Sequence, residues 1–187
     1  MTLGSALFQK KKQKSGDIRP RNILIDDKGC IGIVNCLSFP DELTNYYKSL
    51  SRKERTYLAP EELAELEVKV KYCKSDPSIA EAFSIGLTML DASLLVDCEE
   101  LYDFEEFSFK NYQFQDYLVA FKSLSLSPFY IKTVLNLLEV QCFNRPSPGE
   151  VFAIIQPYEK EIVDLIEFAP DRQRSQQSLE NFQSNRC

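Results

Sequence analysis

The apolar positions of the chain predict a short helix, then a hairpin, and then helices along most of the remaining length. Apolar residues with helical spacing predict a helix over Thr2–Lys14. Asn22–Ile25 and Ile31–Val34 are short β-like runs, and the turn-forming tetrapeptide at 26–29 between them predicts a hairpin. The polar, aperiodic segment Phe39–Leu58 predicts a long loop.

From residue 60 onward the pattern is helical. Pro60 followed by two acids predicts a helix start. Ser78–Leu95 is apolar on most faces, which predicts the buried central helix of the fold. Asp97–Phe114 is acidic and aromatic and predicts an insertion-like loop. Later helices are predicted over Gln115–Leu124, Pro128–Val140, Ser147–Gln156 and Glu159–Phe168, the third of these with an S-x-x-E capping box at Ser147 and Glu150.

The fold class predicted from this pattern is mainly α, a helical bundle around one buried helix with a small β-hairpin. A length of 187 residues favours one domain, which we place at 1–168. Residues 169–187 are rich in Gln, Ser and Asn and contain few apolar residues. Such a composition predicts a disordered polar tail.

Charge and composition exclude several classes of function. The net charge of −6 provides no electrostatic attraction to nucleic acid. No apolar run approaches the roughly 18–20 residues of a membrane span, so we expect no membrane partner. The six cysteines are scattered and the chain has no histidine, which argues against a zinc site and removes the commonest general base. Scattered cysteines favour reduced thiols in a cytoplasmic protein.

Five short motifs occur in an informative order. The sequence GDIRPRN at 16–22 is similar to H-R-D-x-K-P-x-N, and NCL at 35–37 stands where D-F-G is expected. APE closes the next segment at 59–61, EAFSIG begins the apolar helix at 81–86, and NRPS lies at 144–147. Together, and over about residues 2–156, they resemble the C-terminal lobe of a eukaryotic Ser/Thr-like protein kinase.

The resemblance implies roles for individual residues. Asp17 would orient the substrate hydroxyl, and Arg19 would keep a positive charge near the transferred phosphate. Asn22 and Asn35 occupy the two metal-binding positions. Leu24 would form part of the floor beneath the adenine. Without the resemblance, Asp17 and Asn22 read as ordinary turn and cap residues.

The resemblance also implies architectural residues. Glu61 and Arg145 would pair across the lobe and tie the end of the activation segment to the helical core. Glu81 stands where the family has an Asp that bonds the backbone of the catalytic loop.

The departures from the family pattern weaken the catalytic reading. Asn35 replaces the carboxylate that carries most of the Mg²⁺ binding, and a neutral amide is a poorer ligand for that ion. Ser15 and Gly16 replace His and Arg, and no G-x-G-x-x-G occurs in the sequence. We therefore expect the N-terminal lobe to be absent. We also expect no cofactor for this chain, although the family uses ATP and Mg.

Two functional hypotheses follow. The first is a degenerate pseudokinase lobe, a catalytically impaired interaction or scaffold module with a protein partner. The alternative is a fragment of a Ser/Thr protein kinase, with ATP binding and protein phosphorylation, whose N-terminal lobe is missing. Asn35 favours the first. In that case the upper face around Leu24, Ile33 and 35–37 should be apolar and exposed, which is typical of a partner surface.

Overall fold

A computed structural model describes residues 18–27, 31–33, 51, 55–68 and 75–158 of the chain. These residues are mainly helical, with two small antiparallel hairpins. None of their helices is long and apolar enough to cross a membrane. Several predicted features lie outside the described residues, namely the helix over Thr2–Lys14, most of the loop over Phe39–Leu58, the helix over Glu159–Phe168, and the tail with its domain boundary at 168.

The predicted first hairpin is confirmed. Strand β1 (Ile23–Ile25) pairs antiparallel with strand β2 (Ile31–Ile33), and Ile25 lies opposite Ile31. A 3-10 turn over Pro20–Asn22 precedes β1, with Pro at its first position, where the fixed φ of proline suits a helical turn. Asn22 therefore ends this turn instead of beginning the strand.

The predicted central helix is also confirmed. Helix α1 spans Pro60–Glu67 and helix α2 spans Pro77–Leu94, with nine of the α2 residues buried. The carboxylate of Asp76 caps α2 by accepting a hydrogen bond of 2.8 Å from the backbone N–H of Ser78. At the other end, Leu95 adopts a left-handed conformation with φ 55° and ψ 43°.

The prediction of an insertion-like loop over Asp97–Phe114 is wrong for most of its length. A 3-10 helix spans Cys98–Leu101, strand β3 (Tyr102–Asp103) pairs with strand β4 (Ser108–Phe109), and the next helix has begun before Phe114. Tyr102 is fully buried, and its ring stacks on Phe104 at 5.4 Å between centroids. Tyr102 and Phe114 are fully buried, and Phe104, Phe107 and Phe109 pack against the same core.

Three further helices complete the described chain. They are α3 (Asn111–Lys122), α4 (Pro128–Leu137) and α5 (Pro148–Ile155), with 3-10 helices at Cys142–Asn144 and Gln156–Tyr158. The predicted capping box at the start of α5 is confirmed, because Ser147 donates from both its N and its Oγ to Glu150 Oε2 at 2.8 Å.

The chain divides into two compact units, Met1–Phe152 and Ala153–Cys187. In the first unit, α2 packs against α3 and α4 around a core that includes Phe83, Tyr102 and Phe114. A Cβ at Gly86 would lie 2.9 Å from Leu137 Cβ, so glycine permits this close approach of α2 to α4. The described residues of the second unit are the end of α5 and the Gln156–Tyr158 turn.

Candidate functional site

The segment that resembles a catalytic loop lies against the central helix. Ile18, Arg19 and Asn22 are 2%, 3% and 6% exposed. Thr88 of α2 donates a hydrogen bond from Oγ1 to the carbonyl of Ile18 at 3.4 Å. Glu81, for which the kinase resemblance implies a bond of this kind, is itself buried in α2. Its own bond to the loop backbone stays a prediction.

Of the two residues that the kinase resemblance places at metal positions, Asn22 lies in the described part of the chain. Asn22 closes the 3-10 turn by donating its backbone N–H to the carbonyl of Arg19 at 3.0 Å, in keeping with the turn-residue reading. Asp17 and Asn35 lie outside the described residues. In the part of the chain that the structure describes, no three Cys, Asp or Glu residues are grouped so that they could hold a metal ion.

Arg19 belongs to a polar cluster that the sequence did not predict. Its guanidinium carbon lies 5.7 Å from the centroid of the Tyr57 ring, within the range of a cation–π contact. The Tyr57 hydroxyl donates a hydrogen bond to Asp91 Oδ2 in α2. Burial and the neighbouring Asp91 both raise the pKa of Tyr57, so the phenol keeps its proton and remains a donor. Burial also raises the pKa of Asp91, although the bond from Tyr57 opposes that rise.

The backbone around Tyr57 is held by two further side chains. Ser84 of α2 donates to the Tyr57 carbonyl at 2.7 Å, and the Tyr102 hydroxyl donates to the Leu58 carbonyl at 2.8 Å. These bonds hold the residues that precede α1 against α2 and β3. The position of the Tyr57 ring over Arg19 is thus set by the core of the fold.

A cleft of about 210 Å³ opens beside this cluster. Its walls come from three parts of the chain that are distant in sequence: the catalytic-loop-like segment, the residues before α1, and the C-terminal half of α2 with the residues after it. The lining residues are Arg19, Pro20, Arg21, Thr56, Tyr57, Asp91 and Asp97. The sequence signal that could have indicated this cleft is Asp91, because it is a charged residue within an apolar helix.

The predicted ion pair between Glu61 and Arg145 is confirmed. Arg145 Nη1 lies 2.6 Å from Glu61 Oε1, and Arg145 Nη2 lies 3.1 Å from Glu61 Oε2. This bidentate geometry is the strong form of the arginine–carboxylate contact. The Arg145 side chain is fully buried, whereas the Glu61 side chain is 16% exposed.

Arg145 has further acceptors besides the carboxylate. It donates to the carbonyl of Ile79 at 3.0 Å, of Glu139 at 2.8 Å and of Val140 at 3.3 Å. Its guanidinium carbon also lies 4.9 Å from the centroid of the Phe83 ring. The buried charge is therefore surrounded by acceptors and by an aromatic face, which offsets its loss of water.

Leu24, the residue predicted beneath the adenine, is 61% exposed on β1. Its neighbour Ile25 is 67% exposed, and Ile31, directly opposite Ile25 on β2, is 48% exposed. Successive strand residues point to opposite faces, so apolar side chains occupy both faces of this hairpin.

No model of a known protein family matches the chain. A search of curated proteins finds no match either.

Proposed function

We propose that this chain forms a protein-kinase-like C-terminal lobe that acts as a non-catalytic interaction or scaffold module in the cytoplasm. The observation that carries the proposal is the bidentate pair of Glu61 and Arg145, 84 positions apart in sequence. The kinase resemblance predicts this pair from the A-P-E at 59–61 and the R-P-S at 145–147, whereas helical periodicity gives no reason for it. The pair therefore supports the proposal that this chain has the architecture of a protein-kinase C-terminal lobe.

The position of the catalytic-loop-like segment is a second support. The resemblance requires this segment to be fixed to the central helix through a polar contact with its backbone. Ile18 is buried and its carbonyl accepts from Thr88 of α2. The contact comes from a residue other than Glu81, but it joins the same two parts of the chain.

Two residues favour a non-catalytic role. Asn35 supplies a neutral amide where Mg²⁺ binding in the family depends on a carboxylate, and this ion prefers charged oxygen ligands. Leu24 is 61% exposed, so the surface predicted beneath the adenine offers an open wall. Ligand sites normally bury most of the ligand, which an open wall does not achieve.

Calorimetric titration of the purified chain with Mg²⁺–ATP tests the non-catalytic assignment. We expect no binding at micromolar concentrations. Binding that disappears in both Asn22→Ala and Leu24→Glu would instead establish the alternative, a Ser/Thr kinase fragment that binds ATP. Leu24→Glu is included because Asn22 is buried and its replacement can disturb the fold, whereas Leu24 is exposed.

The exposed hairpin is the surface that we assign to a protein partner. Leu24, Ile25 and Ile31 are each about half exposed or more, and together they place apolar area on a two-stranded ribbon. Surface area of this kind is typical of interaction sites. We expect the chain carrying both Leu24→Lys and Ile25→Thr to lose a partner that the wild-type chain retains in quantitative co-purification.

Leu95→Lys provides the matched control, because Leu95 is 87% exposed but lies at the end of α2, away from the hairpin residues in sequence. This variant should retain the partner. If the hairpin variant retains every protein that the wild-type chain retains, the hairpin is not the partner surface.

A further inference from the structure

The first hairpin has an open edge as well as exposed apolar faces. Within the described part of the chain, β1 pairs with β2 and with no other strand. A strand at the edge of a sheet presents N–H and C=O groups to which a further strand can bond. A two-stranded hairpin is at best marginally stable in water, whereas three or more strands with an apolar face are stable. The hairpin is therefore stabilised by the addition of a strand.

The residues around β1 favour an identical strand as the added one. Leu24 is the middle residue of β1, and Arg21 and Asp27 stand three positions before and after it. All three side chains are exposed. If two copies of β1 pair antiparallel about Leu24, Arg21 of each copy stands opposite Asp27 of the other. Ile23 then stands opposite Ile25 of the other copy, so apolar side chains meet between the two charged ends.

The charges also distinguish this pairing from the other ways of adding a strand. In a parallel pair in the same register, Arg21 would face Arg21 and Asp27 would face Asp27, and like charges directly opposite each other are destabilising. On β2, the positions three residues before and after its middle residue are Gly29 and Asn35, which carry no charge. The charge pattern therefore favours β1 and the antiparallel direction.

We propose that two copies of this chain associate through β1 in an antiparallel four-stranded sheet, with a two-fold axis at Leu24. The strand order is β2–β1–β1–β2, and the same surface of both copies makes the contact, as in other two-fold dimers. The inference rests on the proposed function, because it identifies the partner of the exposed hairpin as a second copy. Since β1 has only three residues, we expect a weak and reversible dimer.

Sedimentation velocity of the purified full chain measures this association in the absence of any other protein. We expect a monomer–dimer equilibrium with a dissociation constant of about 10–300 μM, in keeping with a small interface. Leu24→Lys places two like charges opposite each other on the axis and should weaken the dimer at least about tenfold. Leu95→Lys makes the same change at an exposed site outside the hairpin and should associate like the wild type. A wild-type chain that is monomeric at about 300 μM overturns the proposal, as does a Leu24→Lys chain that associates like the wild type.

Two charge variants test the antiparallel geometry. Arg21→Asp puts acids at both ends of β1, and Asp27→Arg puts arginines at both ends. Each variant alone should associate about tenfold more weakly than the wild type, because both end contacts become repulsive. An equal mixture of the two should associate about as well as the wild type, because every end contact in the mixed dimer joins opposite charges. Lys132→Asp, at an exposed position of α4, makes the same change in net charge as Arg21→Asp and should associate like the wild type.

A mixture that associates no better than the separate variants overturns the proposal. The result can be told apart from that of the proposed function. If the purified chain stays monomeric while the hairpin variant with Leu24→Lys and Ile25→Thr still loses a different protein in co-purification, the second copy is not the partner and the scaffold role stands. Association that Leu24→Lys abolishes, in a chain that also binds Mg²⁺–ATP, supports the dimer and contradicts the non-catalytic assignment.

Discussion

Arg145 joins three separated parts of the chain through one side chain. Its guanidinium contacts Glu61 of α1, the Ile79 carbonyl of α2, and the carbonyls of Glu139 and Val140 after α4. A buried guanidinium is tolerated when its donors have acceptors in good geometry, and Arg145 meets that condition. The residue therefore acts in the architecture of the fold.

Removal of this side chain should be strongly destabilising. We expect Arg145→Ala to lower the free energy of unfolding by about 3–5 kcal/mol, because it strands the Glu61 carboxylate in a partly buried site. Adding Glu61→Leu should recover part of the loss, since that change removes the stranded charge but leaves the carbonyls unpaired. Urea denaturation measures both variants, with exposed Lys132→Ala as the control expected to change by at most about 0.5 kcal/mol. A loss below about 1 kcal/mol for Arg145→Ala would contradict the assigned role.

Leu95 adopts a backbone conformation that favours glycine. Its φ is 55° and it is 87% exposed. The left-handed region costs a residue with a Cβ about 1–2 kcal/mol. Since Leu95 buries little, we expect Leu95→Gly to raise the free energy of unfolding by about 0.5–1 kcal/mol, after the extra backbone entropy of glycine is subtracted.

Leu95→Ala keeps the Cβ and should show no such gain in the same denaturation experiment. Phe107 also has a positive φ, of 47°, but its ring packs against the core. Phe107→Gly should therefore lower stability even though it relieves the backbone. A Leu95→Gly variant less stable than the wild type would show that the exposed side chain contributes to the fold.

Among the elements, those with a local chemical signal were predicted from the sequence. The turn at 26–29 marked the hairpin, Pro60 marked the start of α1, and the Ser147–Glu150 capping box marked the start of α5. The apolar surface of α2 likewise marked it as the central helix. In each case a few neighbouring residues carry the information.

Other features depend on distant contacts and leave no local pattern. Strands β3 and β4 have two residues each, too few for an alternation to be visible in the sequence. The Tyr57–Asp91 bond joins residues 34 positions apart, and Thr88 reaches Ile18 across 70 positions. The kinase resemblance had assigned Arg19 and Asn22 to the candidate site. Tyr57 and Asp91 were not predicted, because they come together only when the residues before α1 pack on α2.

The contact between α2 and α4 should not tolerate a side chain at Gly86. An added Cβ would lie 2.9 Å from Leu137 Cβ and 3.2 Å from the backbone carbon of Leu137, which cannot move alone. Glycine to alanine normally stabilises a helix by about 0.5–1 kcal/mol. Here we expect Gly86→Ala to lower the free energy of unfolding by about 1–2 kcal/mol, because the overpacking outweighs that gain.

Gly32 is the matched control for this change. A Cβ at Gly32 would meet no atom within 4 Å, so Gly32→Ala should not lower the thermal stability. An increase in stability for Gly86→Ala would mean that the two helices separate readily, and the close approach would then have no structural importance.

The capping box gives the stability of α5 a dependence on pH. Hydrogen bonds from the backbone N–H and the hydroxyl of Ser147 lower the pKa of Glu150. A carboxylate with a lowered pKa in the folded state stabilises it above its ordinary pKa of about 4.3, and this contribution is lost as pH falls through the lower folded value. We therefore expect Glu150→Gln to be less stable than the wild type at pH 7, and this difference to vanish by about pH 3.

The measurement is urea denaturation followed by circular dichroism at both pH values. Glu106→Gln serves as the control, because Glu106 is an exposed glutamate in the turn between β3 and β4 and not at the start of a helix. A difference for Glu150→Gln that persists unchanged at low pH would assign the effect to packing instead of charge.

At the scale of the whole first unit, the core draws on side chains from Leu58 to Leu138. The segment that contains β3 and β4 contributes Tyr102, whose ring lies 5.2 Å from Phe109, and Phe109 in turn lies 5.1 Å from Phe114. Aromatic pairs of this kind add to the stabilisation from burial alone. The segment is thus part of the core and not an appendage.

Replacement of 102–109 by a Gly-Ser linker of equal length should abolish cooperative unfolding. The reason is that the large aromatic side chains of the core lose their partners, and each such loss costs about 3–5 kcal/mol. The same replacement at the exposed residues 125–127 is the control and should leave a cooperative transition. A linker variant that unfolds cooperatively near the wild-type midpoint would restore the interpretation of this segment as an insertion.

The long separation between Glu61 and Arg145 has a consequence for synthesis. Ribosomes add about 5–20 residues per second, so the 84 positions between them take about 4–17 s to make. Throughout that interval the nascent chain carries the acidic first turn of α1 without the guanidinium that later holds it. The ion pair at the start of α1 therefore forms late, and a factor that acts on the emerging chain meets the Glu61 carboxylate before its guanidinium partner has been made.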